Sequence, residues 1–332
     1  MGIAISELIP KKEISIKELN GKKLAIDASP VIYQFLASIR QPDGTPLMDN
    51  KKNVTSHLMG LSTRIPKLME AGLKLAFVFD GKPPAMKYGE SQIREQRKRK
   101  AEKKLKKALK GDDIEEIAKY KKQAIRITKD IVKESEEFVK ALGLPVIKAP
   151  SEAEAQAAFM AEQKDVFAIV SQDHDSLLYH APRMIKNITV SPKRKIKGMY
   201  ISVHPEMIEL REVLKKLKIN QDQLLALSIL VGTDYNPGGV KRIGPKTALK
   251  LVQEHKSFEK IFANVEAEFD WKKVYATFKS MPIMKNYQLK WKEPDMDKIH
   301  KILTKKDFSE ERIEKLLERL KPKQQKNLDK WF

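Results

Sequence analysis

Seven carboxylates stand where they could together bind metal ions, because they follow apolar runs of the sequence or begin predicted helices. The carboxyl ends of parallel strands meet at one edge of an open α/β sheet, so side chains that follow such strands converge there. The seven are Asp27, Asp80, Glu152, Glu154, Asp173, Asp175 and Asp234.

Carboxylates crowded into one cleft repel one another, and some would take up protons unless cations neutralised them. Oxygen ligands suit Mg²⁺ or Mn²⁺, and each such ion takes few carboxylates and keeps several waters. Seven acids are too many for one ion and reasonable for two. Two ions can activate a water and stabilise the leaving oxygen of a cleaved phosphodiester. The pattern therefore predicts a two-metal hydrolytic site.

Each acid also has an ordinary structural interpretation. Ser151 and Glu154 form an S-x-x-E pattern, which is typical of a helix start. The other acids could be turn residues at strand ends or could solvate a loop. It is the expected convergence, rather than any single acid, that favours the metal interpretation. His174 is left out of the site, because adjacent residues tend to point apart.

Hydrophobic patterning predicts the elements that must position these acids. Short continuous apolar runs are typical of strands buried on both faces of a parallel sheet. Helical patterns alternate with them, which favours an α/β fold with a mostly parallel central sheet flanked by helices. From about residue 205 the pattern is helical, with an apolar helix over 224–231 that stops at Gly232. The predicted strands are 23–26, 75–79, 145–147 and 166–170, and the first predicted helices are 30–40, 55–71 and 152–162.

The chain is strongly basic, with 65 Lys and Arg against 44 Asp and Glu in 332 residues, a net charge of +21. Such an excess indicates a polyanionic partner, with a lysine-rich thermostable surface as the alternative. Residues 82–110 hold twelve basic residues against three acids, which favours the partner. Residues 82–130 are interpreted as a basic helical insertion that projects from the sheet. The absence of cysteine excludes disulfides, thiol nucleophiles and cysteine-based metal sites.

Six stretches of the sequence resemble the flap endonucleases of the XPG nuclease superfamily, most closely the archaeal type. They are residues 26–29, 32–36, 78–84, 149–155, 171–178 and 232–235. The resemblance implies a structure-specific nuclease that cuts 5′ flaps at the junction of single- and double-stranded DNA. It also implies 5′→3′ exonuclease activity, with roles in lagging-strand maturation and base excision repair. By this likeness the seven acids hold two Mg²⁺ ions, for which Mn²⁺ can substitute.

The resemblance also assigns roles to basic and aromatic residues. Lys87 and Arg94 match the catalytic basic pair at the base of the family's helical arch, and their spacing places both on one helix face. They are expected to neutralise the scissile phosphate; the alternative is a solvated basic surface. Tyr33 matches an aromatic that stacks on a base near the cut. DNA contacts are implied at Gly2, Tyr33, Arg40, Arg64, Glu152, Gly232, Asp234, Gly239, Lys241, Gly244 and Lys246.

Pro66 departs from the pattern expected of the helix over 55–71. An interior proline costs about 3 kcal/mol and kinks a helix. We therefore expect Arg64 to be displaced from its family position.

The glycine-rich stretch 238–248 can be interpreted in two ways. It is a near miss to the nucleotide-binding P-loop, but Pro245 adds a residue between Gly244 and Lys246, and a helix precedes the loop. The alternative is a hairpin of two helices whose second N-terminus binds a phosphate of the DNA backbone. The resemblance supports this alternative, as a helix–two-turn–helix that a monovalent cation assists.

The last eight residues fit the pattern Q-x-x-L-x-x-W-F, which resembles the peptide that docks on the replication sliding clamp (PCNA). One helical turn would place its apolar side chains together as a plug. A C-terminal helix folded back on the core is the alternative. The predicted clamp contacts are Gln325, Leu328, Trp331 and Phe332.

The leading hypothesis is a monomeric flap endonuclease with no membrane association, in the cytoplasm of a cell without a nucleus; in a eukaryotic cell it would be nuclear. A repair exonuclease of different junction preference and a non-catalytic DNA-binding accessory of the sliding clamp are the alternatives. The predicted regions are 1–98 (first nuclease region and start of the arch), 99–115 (arch helices), 116–258 (second nuclease region with the helix–two-turn–helix), 259–323 (C-terminal helices) and 324–332 (clamp-binding tail).

Overall fold

A seven-stranded sheet lies at the centre of the computed structural model, which describes residues 5–108, 114–190, 193–196 and 199–321. Its order is β1-β9-β6-β5-β2-β3-β4; the strands from β6 to β4 are mutually parallel, and β9 is antiparallel to both of its neighbours, β6 and β1. The prediction of a mostly parallel central sheet is confirmed. The strands are β1 (Lys12–Glu13), β2 (Lys23–Asp27), β3 (Lys74–Phe79), β4 (Val146–Lys148), β5 (Ala168–Val170), β6 (Arg183–Lys186), the separate antiparallel pair β7 (Lys193–Ile196) and β8 (Met199–Ser202), and β9 (Glu206–Glu209).

Thirteen α-helices accompany the sheet in the described part of the chain. The helices predicted over 30–40, 55–71 and 152–162 are present as α1, α2 and α6, with ends within about two residues of those predicted. No helix among the described residues is both long and apolar enough to cross a membrane. The helices are α1 (Ala28–Ser38), α2 (Ser56–Glu70), α3 (Tyr88–Ala108), α4 (Ile114–Gln123), α5 (Lys129–Ala141), α6 (Ala153–Glu162), α7 (Leu210–Leu217), α8 (Gln221–Val231), α9 (Pro245–Glu254), α10 (Phe258–Ala263), α11 (Trp271–Lys279), α12 (Met296–Thr304) and α13 (Glu310–Leu320).

The strand register brings the acid-bearing ends of the central strands to one edge of the sheet. Asp27, the last residue of β2, pairs with Val78 near the end of β3, and Asp80 follows that strand directly. β5 pairs with the other side of β2, also in parallel. This arrangement results from strands whose apolar residues are buried on both faces.

The prediction of a helical pattern from about residue 205 is wrong at its beginning. β9 is a strand there, paired with β6 on one side and β1 on the other. Its four residues include one fully buried side chain, Ile208, which is too short a pattern to separate a strand from a helix. Strand pairing with distant parts of the chain decides its conformation.

Pro66 lies inside α2, and the helix continues beyond it to Glu70. The proline is buried on the same helix as Ile65 and Leu68, which belong to the core. Packing therefore compensates for the backbone hydrogen bond that proline cannot donate. The expected displacement of Arg64 stays a prediction.

Among the described residues, the largest cluster of buried apolar side chains joins parts of the chain that are far apart in the sequence. Leu24 and Phe77 from the sheet share it with Ile299 of α12 and Ile313 of α13. A second cluster surrounds α8, the apolar helix that the sequence predicts. The first cluster packs helices against the sheet, and the second packs the helices from α7 to α11 together.

Candidate active site

A cavity of about 640 Å³ at the carboxyl edge of the sheet is lined by all seven predicted acids. We call it the acid cavity. Its other lining residues come from α1, α3, α4 and nearby loops, and include a phenol and several cations. The predicted convergence is therefore observed, whereas a metal-binding role for the acids stays a prediction. The lining residues are Asp27, Ser29, Pro30, Tyr33, Asp80, Lys87, Arg94, Arg97, Lys98, Gln123, Ile127, Glu152, Glu154, Gln172, Asp173, Asp175 and Asp234.

Backbone and side-chain hydrogen bonds fix the strand-end acids. Asp80 accepts hydrogen bonds from the Ala153 amide at 2.8 Å and from the Ser29 hydroxyl at 2.5 Å. These contacts tie the end of β3 to the first turns of α6 and α1.

The capping interpretation of Glu154 does not hold in the structure. Ser151 donates its hydroxyl to the carbonyl oxygen of Lys82 at 2.9 Å, and the N-cap of α6 is Glu152, whose side chain makes no capping hydrogen bond. The side chain of Glu154 instead faces the acid cavity, where its Oε1 lies 3.4 Å from the Ser171 hydroxyl.

Burial and the repulsion of neighbouring acids make Asp27 and Glu154 costly to keep ionised. Burial raises the pKa of Asp27 well above its usual value, and the neighbouring Asp80 and Asp173 raise it further. The pKa of Glu154 is raised in the same way, first by burial and then by Asp175 and Asp27. Carboxylates in this state bind a cation favourably, because a cation replaces the lost solvent.

Two basic side chains of the arch base contact the acids directly. Lys87 Nζ lies 2.5 Å from Glu152 Oε2 and 3.4 Å from Asp234 Oδ2, and Arg94 Nη2 lies 2.8 Å from both oxygens of Asp234. Burial alone would lower the pKa of Lys87, but Glu152 and Asp234 outweigh it and raise that pKa. Burial raises the pKa of Glu152, an effect that Lys87 partly offsets. Both side chains therefore face the acid cavity, as their spacing predicts.

The donor set of the acid cavity fits divalent cations. Its side-chain oxygens are the ligands that Mg²⁺ prefers, and Asp27 Oδ1 is buried without a hydrogen bond among the described residues. No group of three acidic or histidine side chains in those residues is already arranged around a metal position. Lys87 and Arg94 instead hold oxygens of two of the acids in this conformation.

His174 is turned away from the acid cavity, as expected of a residue between two lining acids. Its Nε2 lies 3.3 Å from Lys186 Nζ. Burial, with Lys186 and Lys11 nearby, lowers the pKa of His174 to about 4. The ring is therefore neutral at physiological pH and can accept a hydrogen bond from Lys186.

Of the other residues predicted to contact DNA, one lines the acid cavity and two do not. Tyr33 lines the acid cavity and is 43% exposed, so it is available for stacking. Arg40 and Arg64 do not line it, and Arg40 donates to the carbonyl oxygens of Leu36 and Gly44 at 2.9 and 2.6 Å. Gly2 and the four clamp-contact residues lie outside the described residues.

The glycine-rich stretch forms a loop between two packed helices, α8 and α9. We call residues 232–244 the hairpin loop. Gly244 is the N-cap of α9 and Pro245 its first residue, so the backbone amides of this helix start remain available to an anion. This is the predicted helical hairpin, and a strand does not precede it as in a P-loop. Lys246 is exposed, and Lys241 forms an exposed ion pair with Glu268 at 2.5 Å.

Glycines give the hairpin loop its shape. Gly232 and Gly239 have φ of +113° and +59°, and a Cβ on Gly239 would lie 2.3 Å from the carbonyl oxygen of Leu230. Both residues are therefore needed where the loop folds back on the end of α8. Their DNA contacts stay predictions.

Several residues of the site escaped the sequence analysis. Ser171 bridges Asp27 and Glu154 at 3.4 Å each, and Tyr179 and Tyr235 join two acid-bearing segments. The position of Tyr235 directly after Asp234 was the one available signal. No sequence pattern indicated the role of Tyr179, because its partner lies 56 residues further along the chain.

Comparisons with known proteins agree with this geometry. The XPG N-terminal domain matches residues 2–101, and the XPG I-region matches residues 143–234. The chain is 49% identical to flap endonuclease 1 of Pyrococcus abyssi, over 100% of this chain and 98% of the relative. The chain belongs to the flap endonuclease 1 family of XPG nucleases. Flap endonuclease 1 of Aeropyrum pernix is 45% identical over the full length of both proteins.

Solved structures place the fold in the same family. Flap endonuclease-1 from Methanococcus jannaschii superposes with a TM-score of 0.77 at 40% identity, over 96% of this chain and 98% of that one. The catalytic core of Rad2 in complex with DNA substrate has a TM-score of 0.70 at 24% identity, over 93% and 96%, and shares the fold. The flap endonuclease 1 family consists of metal-dependent nucleases that hydrolyse DNA phosphodiester bonds.

Proposed function

We propose that this chain is a structure-specific 5′-flap endonuclease with 5′→3′ exonuclease activity, acting in lagging-strand maturation and base excision repair. The observation that carries the proposal is the acid cavity, where carboxylates from five segments of the chain face Lys87 and Arg94. The basic helix α3 begins at this cavity, so a strand attracted by its charge reaches the acids. The names of the relatives support the choice of a flap as substrate.

We further propose that two Mg²⁺ ions are the cofactor, with Mn²⁺ as a substitute. The all-oxygen lining and the raised pKa values of Asp27 and Glu154 support divalent cations. When bound, such ions supply Lewis-acid activation of water and stabilise the leaving oxygen. The side chains that would hold them are Asp27, Asp80, Glu152, Glu154, Asp173, Asp175 and Asp234.

The side chains of the acid cavity then act on the DNA strand itself. Lys87 and Arg94 exchange their carboxylate contacts for the scissile phosphate and neutralise the charge that develops on it. Tyr33, exposed in the same cavity, stacks on the neighbouring base and orients the strand.

The hairpin loop holds the duplex. Its phosphate ligands are the amides at the start of α9, and Lys241 and Lys246 add positive charge beside them. A monovalent cation at this loop also contributes to the proposed binding of the duplex. Contacts of this kind bind backbone without reading sequence, as a junction-specific enzyme requires.

The test uses a 5′-flap duplex, the matched single strand and a blunt duplex, each labelled at its 5′ end, with Mg²⁺ or EDTA. We expect release of the flap near the junction with Mg²⁺ and little cutting of the controls. Loss of cutting in EDTA with recovery on added Mg²⁺ would support the cofactor. Tight flap binding without cleavage in Mg²⁺ or Mn²⁺ would contradict the enzyme and favour the clamp-accessory alternative.

We also propose that the tail, from its sequence motif, docks the protein on the sliding clamp. Truncation after Gln324 should leave cutting of a free flap unchanged and abolish stimulation by the clamp. A full-length variant with Trp331→Ala and Phe332→Ala should behave like the truncation. Unchanged stimulation in both would show that the dock lies elsewhere. We expect the protein to act as a monomer in a cell without a nucleus.

A further inference from the structure

Two tyrosines beside the acid cavity, the buried Tyr235 and the half-buried Tyr179, hydrogen-bond each other. The hydroxyl oxygens of Tyr179 and Tyr235 lie 2.7 Å apart. Burial raises the pKa of both phenols, so both keep their protons and one donates to the other. Neither hydroxyl lines the acid cavity, and no step proposed above uses either of them.

Each tyrosine extends a segment that carries an acid of the cavity. Asp175 lies in the helical turn after β5, and its carbonyl oxygen accepts the amide of Leu178, the residue before Tyr179. Tyr235 directly follows Asp234, and its amide donates to the Thr233 hydroxyl at 3.1 Å. The pair of hydroxyls therefore connects two acid-bearing turns that are far apart in the sequence.

The turn that carries Asp234 is itself rigid. Asn236 accepts from the amide and hydroxyl of Thr233 at 3.1 and 2.6 Å, and donates to the Ile229 carbonyl at 2.7 Å. These bonds fix the turn to the end of α8. They do not fix it to the sheet that carries the other acids.

Helix α11 supports the tyrosine pair from the helical side. The ring of Phe278 lies 5.3 Å from that of Tyr179 and 4.8 Å from that of Tyr235. Its neighbour Thr277 places its hydroxyl 3.1 Å from the sulfur of Met86, the residue before Lys87. One helix thus packs against the segments that carry Asp175, Asp234 and Lys87.

We propose that Tyr179 and Tyr235 are positioning residues, whose hydrogen bond sets the distance between the Asp234 turn and the Asp175 turn. A second link between α8 and the Asp175 segment, from Gln221 Nε2 to the Leu177 carbonyl at 2.8 Å, lies at the opposite end of α8. The tyrosine pair links the two turns at the end of α8 that lies beside the acids. Because catalytic groups must be held closely, loss of this bond lowers the chemical rate more than it lowers stability. The kinetic part of this inference depends on the proposed nuclease function.

The test compares Tyr179→Phe, Tyr235→Phe and the double variant in the full-length protein. We expect each single variant to lower kcat about tenfold, with KM and flap affinity in EDTA changed by less than about twofold. Because one bond is lost in every case, the double variant should fall no further than the lower single variant. The Mg²⁺ concentration for half-maximal rate should rise in all three. Melting temperature without metal provides a readout besides activity and should differ little among the variants.

Tyr287→Phe is the matched control, because it removes a tyrosine hydroxyl that donates to Asp165 away from the acid cavity. Its kcat should equal that of the unmodified protein. Single variants with unchanged kcat, or a double variant whose loss is the product of the single losses, would overturn the inference. An unmodified protein that binds flaps without cutting them would overturn the proposed function instead, so the two failures are distinct.

Discussion

The acid cavity and the hairpin loop are both proposed to contact DNA, yet they are built in opposite ways. The acid cavity collects its acids from five separate segments of the chain, and three of them, Asp27, Glu152 and Asp175, are buried. Lys87 and Arg94 pair with two of the seven acids. The hairpin loop is one continuous stretch, shaped by backbone conformation and by glycines that no other residue can replace without strain. Changes in the acid cavity should therefore lower the rate of the chemical step, whereas changes in the hairpin loop should weaken duplex binding.

Asp173→Ala should give the largest effect and should act on the chemical step alone. We expect kcat to fall about a thousandfold or more, because a metal ion contributes several kcal/mol to the transition state. Flap affinity, measured by fluorescence anisotropy in EDTA, should be retained. Glu137→Ala, which removes an exposed acid of α5, is the control and should cut normally. Full activity of the Asp173 variant would contradict the proposal that the acids bind two metal ions.

Lys87→Met should lower kcat about a hundredfold, because a half-buried cation that neutralises the phosphate is lost. Without DNA, the same variant should bind Mn²⁺ more tightly in calorimetry, because Lys87 no longer competes for Glu152 and Asp234. Lys103→Met, at an exposed position of α3, should change neither quantity. Weaker Mn²⁺ binding by the Lys87 variant would mean that the lysine supports the metal site and does not compete with it.

Gly239→Ala should weaken duplex binding about tenfold, because its Cβ would lie 2.3 Å from the Leu230 carbonyl oxygen and would displace the loop. Gly238→Ala is the matched variant. Gly238 also has positive φ, +89°, but a Cβ there meets nothing within 4 Å, so the loss should be smaller. At saturating DNA both variants should retain kcat. Equal binding by the two variants would show that loop position does not matter to the duplex.

Lys241→Met should have the smallest effect. One phosphate contact contributes about one unit to the slope of log affinity against log salt, so the slope should become shallower by that amount. Affinity at low salt should fall only a few-fold, since Lys241 also gives up its pairing with Glu268 when it binds DNA. Lys301→Met on α12 is the control. An unaltered salt slope would place Lys241 outside the duplex contact.

The acids could be predicted from the sequence because each stands at the end of a buried strand or helix. That position is visible as an apolar run followed by a charge, as at Asp27 and Asp80. The sheet edge then brings such residues together whatever the details of packing. The hairpin loop was equally visible, because Gly244 and Pro245 mark a helix start locally.

The features that the sequence did not predict all depend on partners far along the chain. β9 is a strand because β6 and β1 pair with it, and its own four residues do not require that conformation. The contact of Lys87 with Glu152 spans 65 residues, and that of Arg94 with Asp234 spans 140. The sequence predicted that these cations face the site, but not that they hold its acids.

The position of α12 and α13 in the main core has a consequence for the synthesis of the protein. Ribosomes release β2 and β3, which position Asp27 and Asp80, well before Ile313 and Leu316, which share a core cluster with those strands. A nascent chain therefore cannot close its core until α13 has left the ribosome. Interrupted products would expose the apolar side of α2 and be open to proteolysis. Only a chain that includes α13 would present a fully supported acid cavity to DNA.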